Sequence, residues 1–243
     1  MKEELRMMKD ILSNPKKFNL ETPIAHVINR EPDFISYGDA CLEAGGGYSQ
    51  NMFWWHIEWP NEIKALTVKN LTVTRRCLVS KELVSINLLE FVVEIINYAA
   101  VTLWFKQYTT SCPHQFPMLL NWTDNITSKS WIRKAATKTK KGKCLQRILC
   151  SLMINNPLGM KAEHIAGTKN VLADRISRIY DTSFSKNSFI QLFQEFPQLK
   201  SWNRFHPSPE LLSYLYLGLL KEQDHGLCPP KQLGHFALDK NIL

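Results

Sequence analysis

The run FVVEIINYAAVTLWF, Phe91 to Phe105, is the most apolar stretch of the chain and constrains everything around it. At fifteen residues, with Glu94 and Asn97 inside it, it falls short of the roughly 20 apolar residues that a membrane span needs. It therefore predicts a helix buried in a protein core. The helical pattern extends from Ser85 to about Phe105, with Ser85 or Asn87 placed to cap it and Glu90 in its first turn. Of the 243 residues, 44% are hydrophobic and 21% charged, the balance of a globular chain and not of a disordered one. The start, MKEELRMMKDILSN, mixes charges and lacks the apolar segment of a signal peptide, so the expected location is intracellular, in cytoplasm or nucleus, with no membrane partner. Six scattered cysteines without a CxxC pair fit reduced thiols.

Around that helix the chain alternates between extended and helical patterns. Residues 1–30 form a lead-in, with a short amphipathic helical pattern at Glu4–Leu12 and an extended segment near Thr22-Pro23. SYGDACLEAGGGYS (36–49) is an extended run ending in three glycines, which mark a bulge or tight turn. FWWHIEW (53–59) stops at Pro60 and reads as a second strand paired with the first. LTVTRRCLV, residues 71–79, suggests a third. MLLNWT (118–123) predicts a strand closed by the turn Asp124-Asn125. Helices are predicted over 126–137, 144–155 and 170–180, and a strand over 160–167. Strands that alternate with helices argue for an α/β sheet with helices on its faces. Residues 181–243 read as an extension, with a helix from Pro209 to Leu220 and a poorly ordered tail over 221–243.

Four acids stand at element ends: Asp39 in the first strand, Glu90 in the first turn of the long helix, Asp124 after the fourth strand, Asp174 in the first turn of the last helix. Each has an ordinary structural explanation: an edge-strand acid, a capping box with Asn87, a turn former beside Asn125, a favourable charge at a helix start. Together, neighbouring strands and helix starts could gather all four at one end of a sheet. Carboxylates that close repel one another unless cations neutralise them, and hard oxygen ligands suit Mg²⁺ or Mn²⁺. Two such ions suit phosphodiester hydrolysis, activating water and stabilising the leaving oxygen.

The segments DACLEAGGGYS, INLLEFVV, LLNWTDNITSKSW and HIAGTKNVLADRISR resemble the ribonuclease H domain of retrotransposon polyproteins. The most specific is the last, with Gly167, Asn170, Ala173, Asp174, Ile176, Ser177 and Arg178 in the spacing G-x-x-N-x-x-A-D-x-(I/L)-S-R. The resemblance covers residues 33–180. It implies a ribonuclease H-like α/β fold for residues 31–180: a mixed five-stranded sheet with strands one to three antiparallel, helices on both faces and a helical C-terminal extension. It implies that Asp39, Glu90, Asp124 and Asp174 are metal-binding and catalytic, holding two Mg²⁺ or Mn²⁺ ions, with no small-molecule cofactor. The implied activity is hydrolysis of the RNA strand of RNA–DNA hybrids, to a 3′-hydroxyl and a 5′-phosphate. The chain departs from cellular relatives in one respect: the loop Ala166–Lys169 has no histidine, and His164 precedes it. No Y/F-x-D-D polymerase turn occurs, so a reverse transcriptase polymerase domain encoded upstream is a partner the resemblance implies. The alternative is a catalytically decayed or co-opted fragment that binds nucleic acid without cutting it.

The net charge of +8 has a single origin. Lys129, Arg133, Lys134, Lys138, Lys140, Lys141, Lys143 and Arg147 lie within nineteen residues that hold no acid; without them the remaining basic residues equal the 22 acids. A solvated helix face and loop, or a nuclear-import signal around KTKKGK, would also fit such a run. In the resemblance the run is similar in place and charge to a basic protrusion that holds the nucleic-acid duplex, its lysines and arginines on phosphates and Trp131 against a sugar or the core.

Overall fold

Two tight reversals turn residues 34–58 into three antiparallel strands, β1 (Phe34–Ala40), β2 (Ala44–Ser49) and β3 (Phe53–Glu58). The computed structural model describes residues 30–67, 83–108, 116–179, 188–221 and 228–238, with a few isolated positions before residue 14. At the second reversal Met52 takes a left-handed φ of 60° and its N–H donates to the Ser49 carbonyl at 3.1 Å. The glycine run expected as a turn is β2 itself, and FWWHIE is the third strand. The strand expected over residues 71–79 and most of the lead-in, including the segment near Thr22-Pro23, lie outside the described residues. Within Glu4–Leu12, the described Leu5, Met8, Lys9 and Leu12 are helical.

Four further strands bring the mixed sheet to seven among the described residues: β4 (Met118–Thr123), β5 (Gly159–His164), β6 (Asn203–Pro207) and β7 (Gly234–Leu238), in the order β5-β4-β1-β2-β3-β6-β7. β1, β4 and β5 run parallel, as do β3 and β6, while β7 returns antiparallel to β6. The sheet is therefore wider than the five strands expected. The poorly ordered tail is corrected over Gly234–Leu238: Phe236 of β7 packs on Phe53 and Phe205 at ring-centroid distances of 5.2 Å each. Its strand character comes from pairing with β6, a long-range contact that no local pattern announces.

The helices are α1 (Asn61–Lys64), α2 (Ile86–Tyr108), α3 (Ile126–Lys134), α4 (Lys140–Ile154), α5 (Val171–Ser177), α6 (Ser188–Glu195) and α7 (Pro209–Lys221). α2 is 23 residues, long and apolar enough by composition to cross a membrane, and 83% of its most apolar window is buried inside the protein. It crosses one face of the sheet and α5 the other. On β3, Phe53, Trp55 and Ile57 join the α2 core, while Trp54 joins Leu172, Ile176, Leu192 and Phe193 behind α5. This alternation is the period-two signature of a strand buried on both faces. Gly46 lets α5 sit down on the sheet: a Cβ there would lie 2.5 Å from Ile176 Cγ2 and 2.9 Å from the Ser177 nitrogen. α3 stops earlier than expected because Ala135 turns left-handed, φ 46°. α4 begins earlier because the Thr139 side chain caps it, accepting from the Gly142 N–H at 3.0 Å.

Candidate metal centre

Three elements converge at one end of the sheet. Asp39 is the penultimate residue of β1, Asp124 follows β4, which lies beside β1 in parallel, and Glu90 sits near the start of α2. One oxygen from each of these carboxylates lies within 4.8 Å of the other two. Asp39 and Glu90 are buried, at 5% and 3% exposure, and Asp124 is half-buried.

Backbone and side-chain bonds fix the group. Glu90 Oε1 accepts from the Ala40 N–H at 3.2 Å, so the helix reaches across to the end of β1. Asn125 caps α3, accepting from the Ser128 N–H at 2.9 Å, and its Nδ2 donates to Asn87 Oδ1 at 2.8 Å. That second bond ties the turn carrying Asp124 to the first turn of α2. Asn87 is thereby used as a strut between elements and not as a cap. From the other face, the Ser177 hydroxyl donates to Asp39 Oδ2 at 2.5 Å, and Asn170 Nδ2 donates to the Gly38 carbonyl at 2.9 Å. The 3-10 turn Gly167–Lys169 closes over Asp124; a Cβ on Gly167 would come within 3.0 Å of its Oδ2.

Asp174 stands apart from the other three. Its Oδ1 accepts from Arg178 Nε at 2.6 Å, one helical turn on, and both side chains are about two-fifths exposed. It is still a near neighbour, since its charge raises the pKa of both Asp39 and Asp124.

The centre is electrostatically strained. Burial pushes the Asp39 carboxyl up to about 6, against the lowering effect of the Ser177 hydrogen bond and with Asp124 and Asp174 adding to the rise. Burial, then Asp39, then Asp124 hold Glu90 well above the usual carboxylate range. Asp124 is raised as well, chiefly by burial. Glu90 Oε2 has no hydrogen-bond partner. A buried carboxylate with an oxygen lacking a donor, grouped with two other carboxylates, is an arrangement that a hard divalent cation satisfies. One turn deeper, Glu94 is fully buried and both its oxygens are unpartnered; burial drives its carboxyl up to about 8. Asn121 and Thr123 lie beside the carboxyl and act against that rise, and Asn121 Nδ2 donates to the Glu94 backbone carbonyl at 3.3 Å.

Sequence reasoning missed Glu94, Ser177 and Arg178 as members of this neighbourhood. Glu94 was visible as a charge inside an apolar run, and Ser177 and Arg178 as parts of a motif valued for its aspartate. His164, exposed at the end of β5, is near enough to lower the Asp124 pKa.

The basic run divides. Arg133, Lys134, Lys138, Lys140 and Lys143 are exposed. Lys129 is held by Glu163 at 2.5 Å, and Arg147 donates to Cys144 Sγ at 3.4 Å. One expectation is corrected and one alternative is decided. Lys141 is buried at 3% exposure, its Nζ donating to the Leu219 carbonyl of α7, so it serves packing and cannot meet a phosphate. Trp131 packs edge-on against Phe91, ring centroids 5.6 Å apart, taking the core option over the sugar. No family model, no curated protein and no solved structure matches the chain.

Proposed function

We propose that the chain is a metal-dependent endonuclease that hydrolyses the RNA strand of RNA–DNA hybrids, with a ribonuclease H-like fold. The observation that carries this reading is the convergence of Asp39, Glu90 and Asp124, with ligand oxygens mutually within 4.8 Å. Five of the seven strands, β1 to β5, supply the mixed sheet with its first three strands antiparallel that the resemblance implies, and Asp174 lies beside the triad.

Asp39, Glu90 and Asp124 would hold the first of two Mg²⁺ or Mn²⁺ ions, and Asp174 would join for the second. Bound there, such ions would supply a water deprotonated at neutral pH and a positive charge for the leaving oxygen. The chain's own residues do the rest. The Ala40 N–H and the Ser177 hydroxyl fix Glu90 and Asp39, each leaving an oxygen for the cation side. The Asn125–Asn87 strut keeps Asp124 at the mouth, where it is half-exposed to a substrate phosphate. Arg133, Lys134, Lys138, Lys140 and Lys143 offer an exposed basic surface on α3, α4 and the loop between them.

The deciding measurement is Mg²⁺-dependent cleavage of a labelled RNA–DNA hybrid. Asp124→Asn should lose at least about a hundredfold in rate while keeping the circular dichroism of the wild type. Full activity in that variant would overturn the site. Replacing Lys138, Lys140 and Lys143 with Gln should reduce the slope of log binding constant against log salt by about 2 to 3. An unchanged slope would remove the basic run from the interface.

A further inference from the structure

Arg178 is the cation that the chain itself brings to the acidic centre. It follows α5 directly, and its charge acts chiefly on Asp174 and only weakly on Asp39 and Asp124, whose pKa values it lowers. Among the described residues, one of its nitrogens is committed: Nε donates to Asp174 Oδ1 at 2.6 Å. The Ser177 hydroxyl beside it spans the Asp174 carbonyl, at 2.9 Å, and Asp39 Oδ2. Asp174 and the triad are thus linked through one short stretch of α5 and its cap. Yet Asp174 is the one acid of the four whose carboxylate is already neutralised, and the one that stands outside the mutual 4.8 Å group.

We propose that Arg178 is an internal competitor for the second cation. In the metal-free protein it holds Asp174 away from the triad, and a second ion enters only as Asp174 exchanges Arg178 for the metal. This deepens the two-ion reading of the same site and rests on it. Among the described residues no cation is ion-paired to the three carboxylates that the first ion meets; the second ion has to displace one. The two binding steps should therefore differ in affinity, the weaker belonging to Asp174. The pair is partly exposed, so the competition is modest: an ion pair of this kind shifts an equilibrium by about two- to fivefold. Loss of the guanidinium also removes repulsion toward the incoming ion, which acts in the same direction. Arg178 acts here through Asp174 and is a positioning residue.

The test is a calorimetric titration of the full chain with Mn²⁺ at low salt, for wild type, Arg178→Gln, Arg178→Lys and Asp174→Asn. Arg178→Gln should tighten the weaker step at least about threefold and leave the tighter step within about twofold. Arg178→Lys, which keeps the charge, should stay near wild type. Asp174→Asn should abolish the weaker step alone. A merely structural role for Arg178 would weaken both steps or neither, and either result overturns the proposal. So does a single step in the wild type. A hybrid-cleavage assay run alongside separates the two claims. Two-step binding with the expected Arg178 response but no cleavage would retire the nuclease reading and leave the competition standing.

Discussion

The two ends of α2 do opposite work. Toward its C-terminus, Trp104 stacks among Phe53, Tyr108 and Phe236, with ring centroids between 4.2 and 5.3 Å, and Phe205 is fully buried against Phe236. Toward its N-terminus, on the same helix and under the same sheet, Glu90 and Glu94 are as deeply buried, with three of their four carboxyl oxygens unpartnered. One end gains stability from apolar burial, the other holds groups that resist burial. Local strain of this kind persists only where surrounding structure overdetermines it, and the aromatic end supplies part of that support.

The largest effect should come from breaking the stable end. Phe205→Ala leaves a cavity among Phe53, Phe236 and the C-terminal half of α2 and should cost about 3–5 kcal/mol in chemical unfolding. The same truncation should leave Mn²⁺ affinity unchanged in the folded fraction, because the acids are placed by β1, β4 and the first turns of α2. Equal losses of stability and metal affinity would show that the two ends are one cooperative unit.

Next in size is the pH response of the metal-free protein. Asp39 at about 6 and Glu94 at about 8 both lie above ordinary carboxylates, so the fold prefers their protonated forms. The stability this gives is complete below about pH 4, where the unfolded chain is protonated too, and is lost as pH rises through 6 and then 8. Melting temperature without metal should fall by on the order of 10 °C between pH 5 and pH 8, and millimolar Mg²⁺ should recover part of it at pH 8 only. A melting temperature that rises over that range would contradict the burial of these groups.

Smaller again is Glu94→Gln, which keeps the shape and removes the ionisation. It should raise the metal-free melting temperature at pH 8 by a few degrees and leave it unchanged at pH 5. Destabilisation at both pH values would mean that Glu94 is partnered by groups Gln cannot satisfy.

These contrasts also mark what could be read from residues alone. Asp39, Glu90 and Asp124 were legible because each stands where an element ends, and parallel neighbours bring such ends together. The split of 34–49 into two strands was not, because glycines in sequence announce a turn; pairing with β1 and β3 makes them a strand, and the closeness of α5 is what requires a glycine at 46. Glu94 was visible but its depth was not, since burial of a carboxyl depends on what the sheet sets opposite it. Lys141 looked like its neighbours because charge carries no record of α7, whose Leu219 carbonyl takes its ammonium. Asn203–Pro207 is a strand through its pairing with β3 and β7, a long-range fact with no local pattern.

The smallest effect tests the sign of the electrostatics where solvent reaches. Glu163 on β5 pairs with Lys129 at 2.5 Å, and the hydrogen bond from Lys129 holds its carboxyl below the usual range, the reverse of Asp39 and Glu94. Its contribution is therefore present at neutral pH and lost as pH falls through that lowered value. Because Glu163 is largely exposed, water and salt screen the pair, and Glu163→Gln should cost less than about 1 kcal/mol at pH 7 and progressively less as the carboxyl is protonated in acid. The pair also fastens α3, with its exposed Arg133 and Lys134, to the edge strand. Raising salt should erase the Glu163→Gln difference in stability, whereas the pH 8 gain of Glu94→Gln, buried away from ions, should survive it. If both vary with salt alike, Glu94 is as open to solvent as Glu163, and the contrast between a screened surface and a strained interior fails.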